Sequence, residues 1–256
     1  MGRTRQVAAD TSVDGFLGER LMIAQPRHGH RSGIEAVLIA AAAPLEPGQT
    51  IADLGAGAGV AGLCALARVA GSRALLVEAD PAMTRLARAN AARNGLADRV
   101  EVVEADLTAR GAAARAGLAG LAHHAIANPP FHDPAAARIS PRKAAAHAAP
   151  PADLDGWVRF AAAVVRPGGT LTLIHRADAL TAVLAAFERR FGAVAVLPVH
   201  PRAGLAATRI LVQGRKGSRG ALAILPGLML HGADGHGFLP PVEAVLRHGA
   251  ALPLRP

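Results

Sequence analysis

Between Thr50 and Ala127 the chain alternates short apolar runs with helix-forming segments, and few folds accept that order. Ile51–Leu54, Ala74–Val77, Val100–Val103 and Ala122–Ala127 each read as a buried strand. Val60–Ala70 and Pro81–Asn94 read as helices between them, with Ala109–Gly117 a shorter Ala-rich candidate. Pro81 falls near the first turn of its helix and Gly95 just past the end, the usual asymmetry of helix termini. Strands without polar alternation, separated by helices, call for an α/β fold with a mostly parallel, doubly wound sheet. Ligands bind such sheets at the carboxyl ends of the strands. Val194–Val199 and Thr208–Gln213, on either side of a loop, add an antiparallel C-terminal hairpin at one edge.

At 256 residues and 51% hydrophobic, the chain has enough apolar surface for one sizeable domain. We read residues 1–13 as a flexible basic leader and 14–256 as a single domain. Within it, 14–45 form an N-terminal cap, 46–217 a Rossmann-like core and 218–256 a C-terminal extension. Leu21–Pro26 resembles a strand stopped by proline, and Ser32 with Glu35 suggests a capping box for a helix over Ile34–Ala43. Leu154–Val165 and Leu180–Phe191 read as helices, Thr170–Ile174 as a strand, and 132–152 as a long loop. Cys64 is the only cysteine, which excludes a disulfide framework and a cysteine zinc cage. His28 and His30 lack a third ligand of matching spacing, so no metal is expected. No apolar h-region follows the N-terminal arginines, and Ile34–Leu45 is too short to span a bilayer. A cytoplasmic protein without membrane attachment is the expectation. The net charge of +9 makes nucleic acid a credible partner.

The turn Asp53-Leu54-Gly55-Ala56-Gly57-Ala58-Gly59 follows the first strand of the alternation. Glycines there let the backbone bend tightly and a ligand approach without Cβ atoms in the way. Gly57, Gly59 and Gly62 also satisfy the dinucleotide pattern G-x-G-x-x-G, with Glu78 at a suitable distance downstream for a ribose-binding acid. Asp53 weighs against a dinucleotide, because a carboxylate at the base of the loop opposes a pyrophosphate. It favours a cofactor with positive charge and no phosphate, and S-adenosylmethionine is such a molecule. Glu78, ending the second strand, can accept from ribose hydroxyls. Asp106, past the third, can accept from the adenine amine. Any one of these acids alone reads more readily as a solvated strand-end carboxylate or helix cap, and only the set in register with the glycine turn points to a ligand; Asp80, before Pro81, reads as a helix N-cap. Past the fourth strand comes Asn128-Pro129-Pro130-Phe131, where two prolines end the ladder and turn the chain outward.

Together these residues resemble the class I S-adenosylmethionine-dependent methyltransferases over about residues 48–175. Asp53–Gly59 is similar to their glycine-rich first motif, and Glu78 and Asp106 to the acids after their second and third strands. Asn128-Pro129-Pro130-Phe131 resembles the N/D-P-P-Y/F motif of members that methylate planar amine or amide nitrogens. The resemblance implies that Asn128 and the Pro129 carbonyl accept the two N–H bonds of the target nitrogen, while Phe131 stacks on a flipped base. A narrower resemblance, to bacterial tRNA (adenine-N6) methyltransferases of valine tRNA, rests on two regions. One comprises Gly18–Leu21 through Gln25 and His30–Leu38, the other Thr208–Val212 with Gly214–Gly217. It implies transfer to adenine N6 in tRNA and a cofactor covered in part by the loop before Ile34. Arg138, Arg142, Lys143, Arg202, Arg209, Arg215, Lys216 and Arg219 are then candidate phosphate contacts, or ordinary solvated cations. The alternatives are an rRNA guanine-N2, DNA adenine-N6 or protein glutamine-N5 methyltransferase, a non-catalytic RNA-binding protein of the same fold, and a nicotinamide oxidoreductase.

Overall fold

The computed structural model describes residues 10–29, 31–130 and 153–254. Strands β1 (Thr11–Phe16) and β2 (Leu21–Pro26) form a hairpin that leads into helix α1 (Ile34–Ala42). The alternation follows as β3 (Thr50–Leu54), α2 (Val60–Arg68), β4 (Arg73–Glu78), α3 (Pro81–Arg93), β5 (Val100–Glu104), α4 (Ala112–Arg115) and β6 (Ala122–Ala127). Beyond residue 152 come α5 (Leu154–Val164), β7 (Val165–Arg176), α6 (Leu180–Phe187), β8 (Phe191–Arg202) and β9 (Arg209–Lys216). The chain continues through β10 (Ala223–Ile224), β11 (Leu228–His231) and α7 (Pro240–His248). Among the described residues no helix is long and apolar enough to cross a membrane.

The main sheet runs in the order β10-β8-β9-β7-β6-β3-β4-β5, with β11 also paired to β8. Strands β7, β6, β3, β4 and β5 are parallel, and β9 is antiparallel to both β7 and β8. The C-terminal hairpin thus closes one side of a parallel sheet, as the sequence suggests. Its outer flank is not bare, because β10 and β11 of the extension pair in parallel with β8. From β3 the chain winds outward through β4 to β5 and then returns to β6 on the other side. The winding reverses between β3 and β6, and a crevice opens there at the strands' carboxyl ends.

Period-2 alternation assigns the side chains to two apolar layers. Ile51, Leu76 and Ile126 join the layer of α1, α2 and α3. Ala52, Leu75, Val77, Ala125 and Ala127 join the layer that holds Val158 of α5 and Phe187 of α6. Burial on both faces explains the near-continuous apolar strands.

Several boundaries differ from the expectations, each for a local reason. Thr11–Val13, read as leader, pair with Ala24–Pro26 in the first hairpin. Gly33, with no side-chain hydrogen bond, is the N-cap of α1 in place of Ser32, whose N–H instead donates to Gln25 Oε1 at 2.8 Å. The helix read as Leu180–Phe191 stops at Phe187; Arg189 has φ +65°, and Phe191 already belongs to β8. The hairpin β1–β2 is docked by two asparagines one turn apart, Asn90 on α3 and Asn94 at its C-cap. Asn90, fully buried, accepts from Ala24 N at 2.9 Å and donates to Ala24 O at 2.9 Å and Ala58 O at 3.0 Å. Asn94 makes the same paired contact with Met22, at 2.9 and 3.0 Å. Two side-chain amides thus act as the strand edge that β2 would otherwise lack, and they tie the N-terminal cap to the glycine turn.

Candidate active site

The crevice is a cavity of about 340 Å³ whose walls come from the carboxyl ends of β3, β4, β5 and β6, from α5 and from the N-terminal cap. Gly55 and Gly57 form its floor, with φ of +68° and +54°, a left-handed backbone that residues with a Cβ rarely adopt. Glu78 holds this turn in place. Its Oε2 accepts from Gly57 N at 2.9 Å, and its Oε1 accepts from Ala79 N at 2.8 Å and Asp80 N at 2.9 Å. An ionised carboxylate offers about four lone-pair positions, so Glu78 can still accept from a ligand.

Asp106 also lines the cavity; its Oδ1 accepts from the Thr108 amide at 2.8 Å and hydroxyl at 2.7 Å. Those two bonds, led by the hydroxyl, hold its carboxyl below the ordinary range. Asp80 accepts from Ala82 N at 2.7 Å as the N-cap of α3, and it too reaches the wall.

Asp53 is placed differently from its expected role. In phase with Ile51, it points away from the cavity into the α2 layer, where its Oδ2 accepts from Gly62 N at 2.8 Å. It is buried and does not line the cavity. Burial pushes its carboxyl up to about 7, the Gly62 amide partly offsetting this, and the charge of Glu78 adds to the rise. Gly59 is likewise behind the wall, as the left-handed N-cap of α2, with Leu76, Ala87 and Leu63 around it.

Asn128 lines the cavity beside the glycine turn. Leu54 and Ala127 are register partners in β3 and β6, so Gly55 and Asn128 leave the sheet side by side. Asn128 Oδ1 is buried and accepts no hydrogen bond from any described residue. A buried carbonyl oxygen without a donor costs about 1–3 kcal/mol, so this atom calls for a partner. Pro129 is buried behind it, Pro130 reaches the wall, and Phe131 lies outside the described residues.

A family model for the methyltransferase small domain matches residues 35–200. The chain belongs to that methyltransferase family. It is 28% identical over 208 residues to the tRNA1(Val) (adenine(37)-N6)-methyltransferase of Dickeya chrysanthemi, a match covering 79% of each chain. A local match, 43% over 63 residues, relates 25% of the chain to 20% of the ribosomal protein L11 methyltransferase of Pelotomaculum thermopropionicum. Among solved structures, a protein of Agrobacterium tumefaciens described as a predicted O-methyltransferase is 34% identical, with a TM-score of 0.73. That match covers 85% of this chain and 98% of the other.

As a member of this family the chain is an S-adenosylmethionine-dependent methyltransferase, and the cavity suits that cofactor. Its described lining holds Glu78, Asp80 and Asp106 and neither lysine nor arginine. Such a wall repels a pyrophosphate and accommodates a cationic adenosine derivative, which argues against a nicotinamide dinucleotide more directly than Asp53 does. Gln25, Pro26 and Ser32 of the cap also reach the cavity, where the narrower resemblance puts a cover.

Sequence reasoning passed over Met83, Leu107, Thr108 and Trp157, all of which line the cavity. Only Trp157 had a signal, as the sole tryptophan of the chain on a recognisable helix. The candidate phosphate contacts separate into two groups. Arg138, Arg142 and Lys143 lie outside the described residues, as does His30. Among the others, Arg202 donates to Gly232 O, Arg215 to Gly168 O and Lys216 to Val165 O, and Arg209 pairs with Glu35, all within the fold. His123 and His124, at the opposite end of the sheet, are structural: His123 Nδ1 accepts from Thr50 N, and His124 bonds Thr170 and Gln49.

Proposed function

We propose that the chain methylates the exocyclic N6 of an adenine in tRNA, using Asn128, Pro129 and Phe131 for the acceptor and the Gly55–Gly59 turn with Glu78 and Asp106 for the cofactor. The observation that carries this reading is the unpartnered Asn128 Oδ1 at the cavity wall. An exocyclic amine is a poor nucleophile because its lone pair is delocalised into the ring. Two acceptors, Asn128 Oδ1 and the Pro129 carbonyl, would take its two N–H bonds. The nitrogen can then rehybridise and free its lone pair. When bound, S-adenosylmethionine supplies a methyl group on a cationic sulfur. The chain has to aim the nitrogen along the axis of displacement, a task of positioning more than of base strength. The proton lost afterwards is acidic enough to pass to water. Asp53 would act from beneath the turn, by fixing Gly62 at 2.8 Å, without touching the ligand.

The 28% identity to a tRNA adenine-N6 methyltransferase over most of both chains supports adenine in tRNA as the acceptor, and the net charge of +9 suits a polyanion. On this reading the enzyme would meet its tRNA substrate in the cytoplasm. The Agrobacterium structure, described as a predicted O-methyltransferase, favours a second reading in which a hydroxyl is the acceptor. A hydroxyl carries one proton and needs a base to remove it, whereas a side-chain amide is a clamp and not a base. Incubation with methyl-labelled S-adenosylmethionine and total bacterial RNA, then digestion to nucleosides, separates these readings. Label in N6-methyladenosine is the expected result. Label in a ribose-methylated nucleoside, in N2-methylguanosine or only in protein overturns it.

A further inference from the structure

Trp157 has no part in the reaction as described so far, although it lies against the residue that carries the turn. It projects from the first turn of α5, lines the cavity, and sits so closely over Gly55 that a Cβ added there would overlap its six-membered ring. Gly55 and Asn128 leave the sheet as neighbours, so the indole covers the end of the cavity where the methyl group is passed.

Its position is braced on two sides. Asp153 caps α5 by accepting from Gly156 N at 3.0 Å, and Arg159 on the same helix donates to Thr108 O at 3.0 Å. Thr108 is also the residue that bonds Asp106. The residue that bonds Asp106 is thus tied to the helix that carries the indole.

Charge is distributed unevenly along this wall. The lining carboxylates, Glu78, Asp80 and Asp106, follow β4 and β5, whereas the lining that follows β3 and β6 is Gly55, Gly57, Ala58, Asn128 and Pro130, with Trp157 of α5 against Gly55. Asp53, the nearest acid in sequence, is turned into the α2 layer. A cation at the transfer end therefore meets amide and indole groups in place of a carboxylate. The indole face is the strongest aromatic partner for a cation that has lost its water.

We infer that Trp157 is a specificity-determining residue for cofactor charge, its ring meeting the sulfonium so that the methyl donor is held in preference to the neutral thioether product. This rests on the assignment of the cavity to S-adenosylmethionine. Discrimination of this kind favours exchange of product for fresh donor, and a merely space-filling tryptophan would not provide it.

The test is calorimetric affinity for S-adenosylmethionine and S-adenosylhomocysteine in wild type, Trp157→Phe and Trp157→Leu, with intrinsic fluorescence of the wild type as a second readout. Wild type is expected to favour the methyl donor. Trp157→Leu should weaken donor binding roughly three- to tenfold while product affinity stays within about twofold. Trp157→Phe should fall between. Emission of the single tryptophan should change on binding, and by different amounts for the two ligands. Equal weakening for both ligands, in the Phe variant alone if the Leu variant does not fold, would show a packing role and overturn the inference, as would identical emission changes in wild type. Wild-type protein that binds neither ligand would overturn the cofactor assignment itself.

Discussion

Around the β3 and β4 side of the cleft the acids marked in the sequence are bonded to groups of the chain itself. Glu78 accepts from Gly57, Ala79 and Asp80, Asp106 from Thr108, and Asp53 from Gly62. At Asn128 a buried carbonyl oxygen accepts nothing from the described residues. On the proposed assignment the cofactor half is completed by folding, and the acceptor half is left for the N–H groups of a substrate to complete. Preorganised groups in the first half lower the cost of ordering a flexible ligand. An unpaired acceptor in the second makes discrimination steep, since a molecule without the matching N–H leaves the cost in place.

If that contrast is right, damage to the finished half should show as lost affinity or stability, with the largest effect at Gly55. Gly55→Val combines a left-handed backbone with a collision against Trp157. We expect S-adenosylmethionine affinity to fall roughly 100-fold, about 3 kcal/mol. Near wild-type affinity by calorimetry would mean the turn does not bear on the ligand. Asn90→Ala leaves buried backbone groups of Ala24 and Ala58 without partners. A loss of about 2–3 kcal/mol, or roughly 5–10 °C in Tm, should follow. Scanning calorimetry that finds no shift would break the claim that α3 docks the hairpin.

The remaining effect is a dependence on pH and concerns Asp53. Burial raises its carboxyl from 3.8 to about 7, so the folded chain keeps a proton that the unfolded chain sheds. The stability this contributes is full below about pH 4 and is lost as pH rises toward 7. Asn cannot ionise yet can still accept from Gly62. The Tm of Asp53→Asn relative to wild type should therefore climb between pH 4 and 7 and level off above that. A difference independent of pH would contradict the burial of this carboxylate.

The sheet was legible because burial on both faces leaves a plain mark, apolar runs such as Ile51–Leu54 and Ala122–Ala127 with glycine and proline at the joints. Glu78 and Asp106 could be located because strand ends are readable and parallel sheets collect ligands there. The direction of Asp53 was harder, since it depends on which layer a position in β3 faces. Asn90 and Asn94 gave no sign, because docking a hairpin by side-chain amides leaves no periodic trace. Trp157 gave half of one: its helix was visible, but what lies across from it is set by contacts distant in sequence. The α7 helix stayed hidden because the Pro240–Pro256 stretch is short and proline-rich.

The contrast between the two halves comes down to Asn128. In Asn128→Ala, cofactor affinity by calorimetry and methyl transfer to RNA should be measured on one preparation. Affinity within about twofold of wild type, with transfer reduced by roughly 100-fold or more, is the expected result. A parallel loss of cofactor binding, or transfer that persists, would contradict the assignment of Asn128 to the acceptor.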